Sequence, residues 1–537
     1  MTETQQRHAK FSFGYAHHPD QDAAAPVRHP VVVVGAGPVG LATAIDLGQR
    51  GVPVVVLDDA DRIGEGSRGL CYSKRCLEVL DTLGAGEQVA EKGVEWKVGK
   101  VYFHDQEVYE FDLLPEHGHK MPAFVNLQQY YLEKYLVERV GQLDNVTVRW
   151  RNKVTGIAQD GGGVTLDIET PDGPYQLYAD WLIAADGATS TLRKLMGIEF
   201  VGEVFRDQFL IADIKMEADF PAVRRFWFEP TFHNGQSTLL HKQPDDIWRV
   251  DFQIGWDADP KEETRPEKVR ARLDRMMEGR SYELEWVSVY TFQCRRNEHF
   301  LYDRVIFVGD AAHQVSPFGA RGANSGIEDA HNLGWKLALV IDGEAPASLL
   351  ETYDLERVQA AEVNIGHSTR STDFMVPKSP GDKHMRDAVL KLARAFPFAR
   401  RMVNSGRLHT AAHYDTPLST PDGDAFGGTA RLGDPAPDAP MVDAAGEKVW
   451  LLNALSHDFT LVHVANGAAP NVPEGVALLA VGGDLKDAEG LFAERYDATP
   501  GACYLFRPDQ YLAARFRSFD RARVEAALAR ARGVSNG

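Results

Sequence analysis

The chain has 537 residues, and 58 basic against 77 acidic side chains leave a formal charge of −19. Hydrophobic residues at 44% and charged residues at 25% are an ordinary globular balance, with length for about three or four domains. So acidic a surface argues against nucleic acid or an anionic membrane as partner, because both repel it at long range. The cysteines Cys71, Cys76, Cys294 and Cys503 form neither a disulfide framework nor a zinc spacing, so no metal and a reducing, cytoplasmic setting are expected. No apolar run nears the roughly 20 residues of a membrane helix. The polar N-terminus also lacks the apolar core of a signal peptide.

In chain order, residues 1–29 read as an extended arm. Residues 31–34 form a β-branched run, the pattern of a strand buried on both faces. Gly35-Ala36-Gly37-Pro38-Val39-Gly40 follows, then a helical stretch to Gln49, a stop at Gly51 and a second buried strand at 54–57. This is a βαβ unit with a G-x-G-x-x-G turn. Gly35 permits the tight turn, Gly37 lets backbone approach a pyrophosphate, and Gly40 lets helix and strand pack closely. The helix N-terminus supplies N–H groups to the phosphate. Asp58 closes the second strand, where a carboxylate holds ribose hydroxyls. A glycine-rich turn in an ordinary βαβ unit is the alternative; strand, helix, second strand and acid all in place favour the dinucleotide site.

Residues 146–183 read as short strands with turns at 160–163 and 171–173. Asp186 and Gly187 then follow a buried strand and open a helix, where Asp186 is also a good helix cap. Aromatic-rich alternation between about 200 and 300 predicts a half-buried antiparallel sheet. A buried strand at 304–308 ends in Gly309 and Asp310, and a long helix is expected over 324–340. A mostly helical region runs to about 408, a Pro/Gly/Asp-rich stretch reads as a linker or surface excursion, and strands mixed with helices form a small C-terminal α/β domain.

GAGPVG near the start, ADGATSTLRK in the middle and VGDAAHQVSPFGARGANSGIEDAHNLGWKLA later resemble the three signatures of the class A, single-component FAD aromatic monooxygenases, over about residues 30–370. YLFRPDQYLAARF resembles the end of the thioredoxin-like domain in the phenol hydroxylase and 3-(3-hydroxyphenyl)propionate hydroxylase branch. The resemblance implies an α/β protein. A Rossmann-like FAD-binding domain would take residues 30–200 and 300–375, with an antiparallel substrate sheet inserted at 201–299. A helical connection and linker would take 376–430, and a thioredoxin-like domain 431–537. That last domain has no C-x-x-C, so no redox role is expected of it; the family assigns it to dimer packing.

The resemblance also implies roles. Arg68 would pair with the FAD pyrophosphate, or be a surface arginine. Gln129, or its neighbour Gln128, would sit near the ribityl chain, and Asp310 would accept from a ribityl hydroxyl. Asp186 and Gly187 would support FAD binding and NAD(P)H use. The loop from Pro317 through Gly322, Ala323 and Asn324 would meet the flavin ring, with the helix N-terminus favouring its reduced, anionic form. Arg321 stands where much of the family has glutamine; it adds positive charge near the flavin, meets an acidic substrate, or faces solvent. NADH or NADPH would reduce the flavin, O₂ would form a C4a-hydroperoxide, and one oxygen would pass to an electron-rich aromatic ring. Candidate substrate contacts on the sheet are Arg224, Arg225, Trp227 and His233, then His241 and Arg249, then Tyr290 and Phe292. Strand alternation would turn only one of each adjacent pair to the pocket. His241 or Tyr290 is the preferred group to meet a substrate hydroxyl, and His313 is read as support for the flavin loop. The other reading is an FAD protein of the same fold that is not an aromatic hydroxylase, or a flavin-binding scaffold.

Overall fold

The computed structural model describes residues 11–64, 69–218, 220–403 and 408–534. The chain is α/β. Its first sheet is parallel at the centre: Val27–Val34 lies between Gly173–Ala184 and Val54–Asp58, and Val305–Phe307 pairs parallel with the far side of Gly173–Ala184. The valines of the first strand from Val31 to Val33 are fully buried, as a continuous β-branched run between two helical layers requires. The strand nevertheless begins at Val27, because Val27, Arg28 and His29 already pair with Leu177, Tyr178 and Ala179 before burial starts. Pro38–Gln49 packs on this sheet beside Gly322–Ile341. Gly35 sits at φ +110°, and a Cβ there would lie 2.3 Å from the Ala185 carbonyl oxygen. A Cβ at Gly40 would lie 1.9 Å from the Gly35 carbonyl oxygen, so both positions are closed to any side chain.

The second sheet has eight strands, ordered His313–Gln314, Glu283–Asn297, Phe200–Lys215, Ile247–Ile254, Thr238–Lys242, Arg224–Phe228, Val98–Phe103 and Gln106–Asp112. The last two come from ahead of the 201–299 segment expected to form it. Val98–Phe103 pairs parallel with Arg224–Phe228, across more than a hundred residues of chain, and no local pattern announces such a partner. Two strands of 16 and 15 residues, Phe200–Lys215 and Glu283–Asn297, carry the chain out of the first domain and back.

The C-terminal part is a seven-stranded mixed sheet in which Phe459–Val464 pairs parallel with Val476–Val481 and antiparallel with Cys503–Phe506. The stretch read as a linker or surface excursion is strapped to this sheet. Thr420 N–H donates to Ala513 O at 2.8 Å, and the Arg515 guanidinium bonds both Asp422 oxygens at 2.9 and 2.6 Å. The N-terminal arm is also pinned: Phe13 stacks on Trp150 with ring centroids 4.6 Å apart. All four cysteines are buried and unpaired. Among the described residues no helix is long and apolar enough to cross a membrane, and no group of three or more His, Cys, Asp or Glu side chains is placed to hold a metal ion.

Candidate active site

The carboxyl ends of the parallel strands open into a cavity of about 420 Å³. This is where open α/β sheets bind ligands, because loops diverge there and helix N-termini converge. Gly37, Pro38 and Val39 line one end, and a Cβ at Gly37 would meet nothing within 4 Å, so backbone faces open space. Gly35 and Gly40 sit behind this lining and shape the turn. Asp58 does not line the cavity; its two oxygens accept from Ala36 N–H at 2.6 Å and Ala60 N–H at 2.8 Å, clamping the glycine turn to the second strand. Burial raises its pKa. Of the two adjacent glutamines, Gln129 lines the cavity and accepts from Gly69 N–H at 2.9 Å. Gln128 is buried and donates to Pro244 O. Arg68 lies outside the described residues.

Gly187 and Asp310 line the middle of the cavity. Asp186 does not: its oxygens accept from Ser190 Oγ at 2.6 Å and Leu192 N–H at 2.9 Å. The helix Thr191–Leu195 is capped by Ser190, whose Oγ accepts from Arg193 N–H at 3.0 Å, and Asp186 supports that cap through Ser190 and Leu192. Gly309 sits just behind, donating its N–H to Asp329 Oδ2 at 2.9 Å. The same Asp329 oxygen lies 2.7 Å from His313 Nε2, and its other oxygen accepts from Arg357 Nε at 2.6 Å. All three side chains are fully buried. Burial alone would raise Asp329, but His313 and Arg357 together hold its carboxyl below the ordinary value. His313 thus braces the Gly309–Asp310 turn and does not reach the cavity.

Pro317, Gly322, Ala323 and Asn324 line the next stretch, with the 20-residue helix Gly322–Ile341 aiming its first N–H groups into the space. Asn324 also ties this helix to the strand Cys71–Ser73: its Oδ1 accepts from Ser73 N–H and its Nδ2 donates to Cys71 O, both at 2.9 Å. Arg321 is 2% exposed, which removes the solvent-facing alternative. Its guanidinium donates to Asn364 Oδ1 at 3.1 Å and Leu408 O at 3.4 Å, and the side chain also lines the cavity.

The far end of the cavity rests on the second sheet. Phe209, Ile211, Leu239 and Phe318 give it apolar walls, with Phe209 and Phe318 edge to face at 4.8 Å. Arg224, His241, Arg249 and Tyr290 line it; Arg225, Trp227, His233 and Phe292 do not. Alternation separates Arg224 from Arg225, and the latter lines a different hollow with Trp227. His241 Nε2 lies 3.3 Å from Asp251 Oδ2, and its Nδ1 is 3.9 Å from Cys71 Sγ. Burial, with Arg224 adding to it, pushes His241 down to about 4, so it is a neutral imidazole at pH 7. Burial lifts the Cys71 thiol to about 11. Arg249 is held bidentate by Asp213, both bonds 2.8 Å. Asp251 and Cys71 were missed in the sequence. Asp251 lies two residues from Arg249 on one strand, hence on the same face, and that spacing was the available signal.

An open backbone cradle at a helix N-terminus, polar groups along its length and a second helix N-terminus at its end fit a long, anionic dinucleotide such as FAD. The family model for the FAD binding domain matches residues 28–368. The chain belongs to that family. It is a flavin-dependent monooxygenase, and FAD is its cofactor. It is 30% identical over 501 residues to a flavin-dependent monooxygenase of Mycobacteroides abscessus, covering 90% of this chain and 96% of the relative. It is 29% identical over 386 residues to the 3-(3-hydroxy-phenyl)propionate/3-hydroxycinnamic acid hydroxylase of Mycolicibacterium smegmatis, covering 72% and 68%. In fold it resembles the flavin-dependent monooxygenase PieE, solved in complex with FAD and substrate, with a TM-score of 0.81 at 22% identity over 95% of this chain and 100% of that one.

Proposed function

We propose that this monooxygenase hydroxylates an aromatic ring, taking electrons from NADH or NADPH. The observation that carries the reading is the apolar, aromatic-walled chamber that continues the FAD cleft without a break. The overall change is that an aromatic C–H, O₂, NAD(P)H and a proton give the ring hydroxyl, water and NAD(P)⁺. FAD, when bound, supplies the redox chemistry: it accepts the hydride and activates O₂.

The chain's own residues do the rest. Gly37 and the N-terminus of Pro38–Gln49 would hold the pyrophosphate, and Asp310 and Gln129 would take the hydroxyls between it and the ring system. The N–H groups of Gly322–Asn324 would favour negative charge on the reduced cofactor. Phe209, Ile211, Leu239 and Phe318 hold a flat substrate and exclude water from the reacting face. Neutral His241 accepts a hydrogen bond from a phenol hydroxyl at Nδ1, while Asp251 fixes the tautomer by accepting from Nε2–H. Tyr290 meets the substrate hydroxyl from the same sheet. Arg321 acts as a brace of the flavin loop and not on the substrate. A homodimer packed through the C-terminal domain, in the reducing cytoplasm, completes the reading; light scattering of the purified protein reads its subunit number.

The test is a panel of phenols and phenolic acids, scored for stimulated NADH and NADPH oxidation and for one added oxygen in the product by mass. NAD(P)H consumption yielding only peroxide with every ring would remove the hydroxylase reading.

A further inference from the structure

Twelve large apolar side chains are exposed among the described residues, and five of them, Met385, Leu392, Phe396, Phe398 and Met402, fall within one short stretch of chain. The stretch begins with the helix Pro380–Ala395. At 3.6 residues per turn its apolar positions make two stripes. Val389, Leu390 and Ala393 face inward and join an apolar cluster that also holds Phe209 and Phe318 of the chamber wall. Met385, Ala388, Leu392 and Ala395 recur at intervals of three and four on another face, and all four are exposed. Phe396 follows, and its ring lies 5.9 Å from that of Phe398 beyond Pro397. Met385 is 60% exposed and Phe398 58%, so each leaves much of its apolar surface in water. A lone exposed apolar residue is ordinary, whereas a stripe of them along one helix marks an interaction surface.

The charge beside the stripe says what covers it. Residues 378–403 carry seven Lys and Arg against two Asp, a local charge of +5 in a chain of −19. Three of the seven are engaged by the protein itself: Lys378 by Asp373, and Lys383 and Arg386 by Glu229. Lys391, Arg394, Arg400 and Arg401 have no carboxylate within ion-pair distance among the described residues; Arg394 donates to Gln106 Oε1 and Arg400 to Ala393 O. A second copy of this chain is a poor occupant, because a two-fold interface would set these cations against themselves. An anionic lipid surface suits both halves, with hydrocarbon for the stripe and headgroup charge for its flank. The overall charge of −19 repels such a surface only at long range. At physiological ionic strength the Debye length is about 8 Å, so a docked patch feels its own charge and not that of the distant faces.

We propose that the face formed by Pro380–Ala395 and the turn through Met402 docks on an anionic lipid surface, with the helix lying in the interfacial plane. Docking and hydroxylation are separate properties of the chain, and either can hold without the other.

The experiment is flotation of the FAD-loaded full chain with vesicles of phosphatidylcholine, alone or with about one third phosphatidylglycerol, at physiological salt. At least about fivefold more protein should float with the anionic vesicles than with the neutral ones, and about 0.5 M NaCl should reduce that fraction. Lys391→Glu with Arg401→Glu, and separately Phe396→Ser with Phe398→Ser, should each lower the partitioning about tenfold. Leu355→Ser, at an exposed apolar position of the preceding helix Glu351–Met375, should leave it unchanged. Failure of the wild-type protein to float with anionic vesicles overturns the proposal, and so does equal flotation with both kinds. Flotation that survives both double variants overturns it too. Hydrogen exchange needs no variant: anionic vesicles should slow exchange in residues 380–402 and leave 351–370 as they were, and protection confined to other segments removes the assignment. Light scattering separates the other occupant. A dimer that Phe396→Ser with Phe398→Ser dissociates, in a protein that binds no vesicle, makes this face an interface between copies and overturns docking on lipid.

Discussion

His241 shows how a single side chain takes its chemistry from its neighbours. Its pKa sits at about 4 because burial removes the water that would stabilise the imidazolium, and Arg224 opposes a second positive charge. The unfolded chain has an ordinary histidine near pH 6.5. Between those values the unfolded state binds a proton that the native state refuses, so stability is lost as pH falls from about 6.5 towards 4. His241→Gln has no such proton to refuse. Wild type should therefore lose about 2 kcal/mol more than the variant between pH 7 and pH 5, read from urea midpoints. Equal losses would show that His241 is charged in the native protein. In the sequence this residue was, with Tyr290, one of two preferred among eight candidates on the sheet. What the structure adds, Asp251 and Cys71 beside it, comes from two other strands, and only Asp251 had a spacing that could have been read.

At the scale of elements, the glycine turn was legible because steric rules act locally: Gly35 and Gly40 are required by carbonyl oxygens 2.3 and 1.9 Å from where a Cβ would go. The turn at Gly309 is different. It is held by Asp329, about two turns into the hydrophobic body of the helix Gly322–Ile341, and by His313 and Arg357 around it. No motif of spacing announces that trio. Asp329→Asn would replace an acceptor oxygen by a donor and leave fully buried Arg357 with only the longer, 3.5 Å ion pair to Glu328. The expected cost is about 3–5 kcal/mol in denaturant unfolding, accompanied by purification with reduced FAD, because the loop carrying Asp310 loses its anchor. A variant with native stability and full flavin content would mean the turn is held by its strand alone. Asp186 is held locally instead, accepting from Ser190 Oγ and Leu192 N–H at the start of the next helix.

The whole molecule is joined by charges buried between its parts. Glu356, in the helix Glu351–Met375, accepts from Arg507 Nη1 at 2.7 Å and Nη2 at 3.0 Å, and from Lys336 Nζ at 2.7 Å, all with side chains 1% exposed or less. Two of these residues belong to the FAD-side helices and the third to the C-terminal part. Arg507 holds the Glu356 carboxyl well below the ordinary range, while burial pulls Lys336 down to about 8. Arg75 adds a second bolt, donating to Asp509 O at 2.7 Å and Gln510 Oε1 at 2.9 Å. Arg507→Met should destabilise the protein by about 3–5 kcal/mol, and flavin release and far-UV signal should be lost together in one transition. Loss of the C-terminal signal with flavin still bound would show two independently stable bodies.

The sequence by itself determined the parallel core, the glycine cradle, the helix that meets the flavin loop and the α/β character of the C-terminus. Each is written in contiguous residues, where β-branched runs, helical periodicity and glycine's missing Cβ act over a few positions. Tertiary structure alone decided that residues 98–112 complete the second sheet, that Arg224 faces the cavity and Arg225 does not, that Arg321 points inward, and that the supposed linker is strapped to a sheet. These depend on strand pairing across a hundred residues or more and on which face a sheet turns to the core, and neither leaves a local mark on the chain.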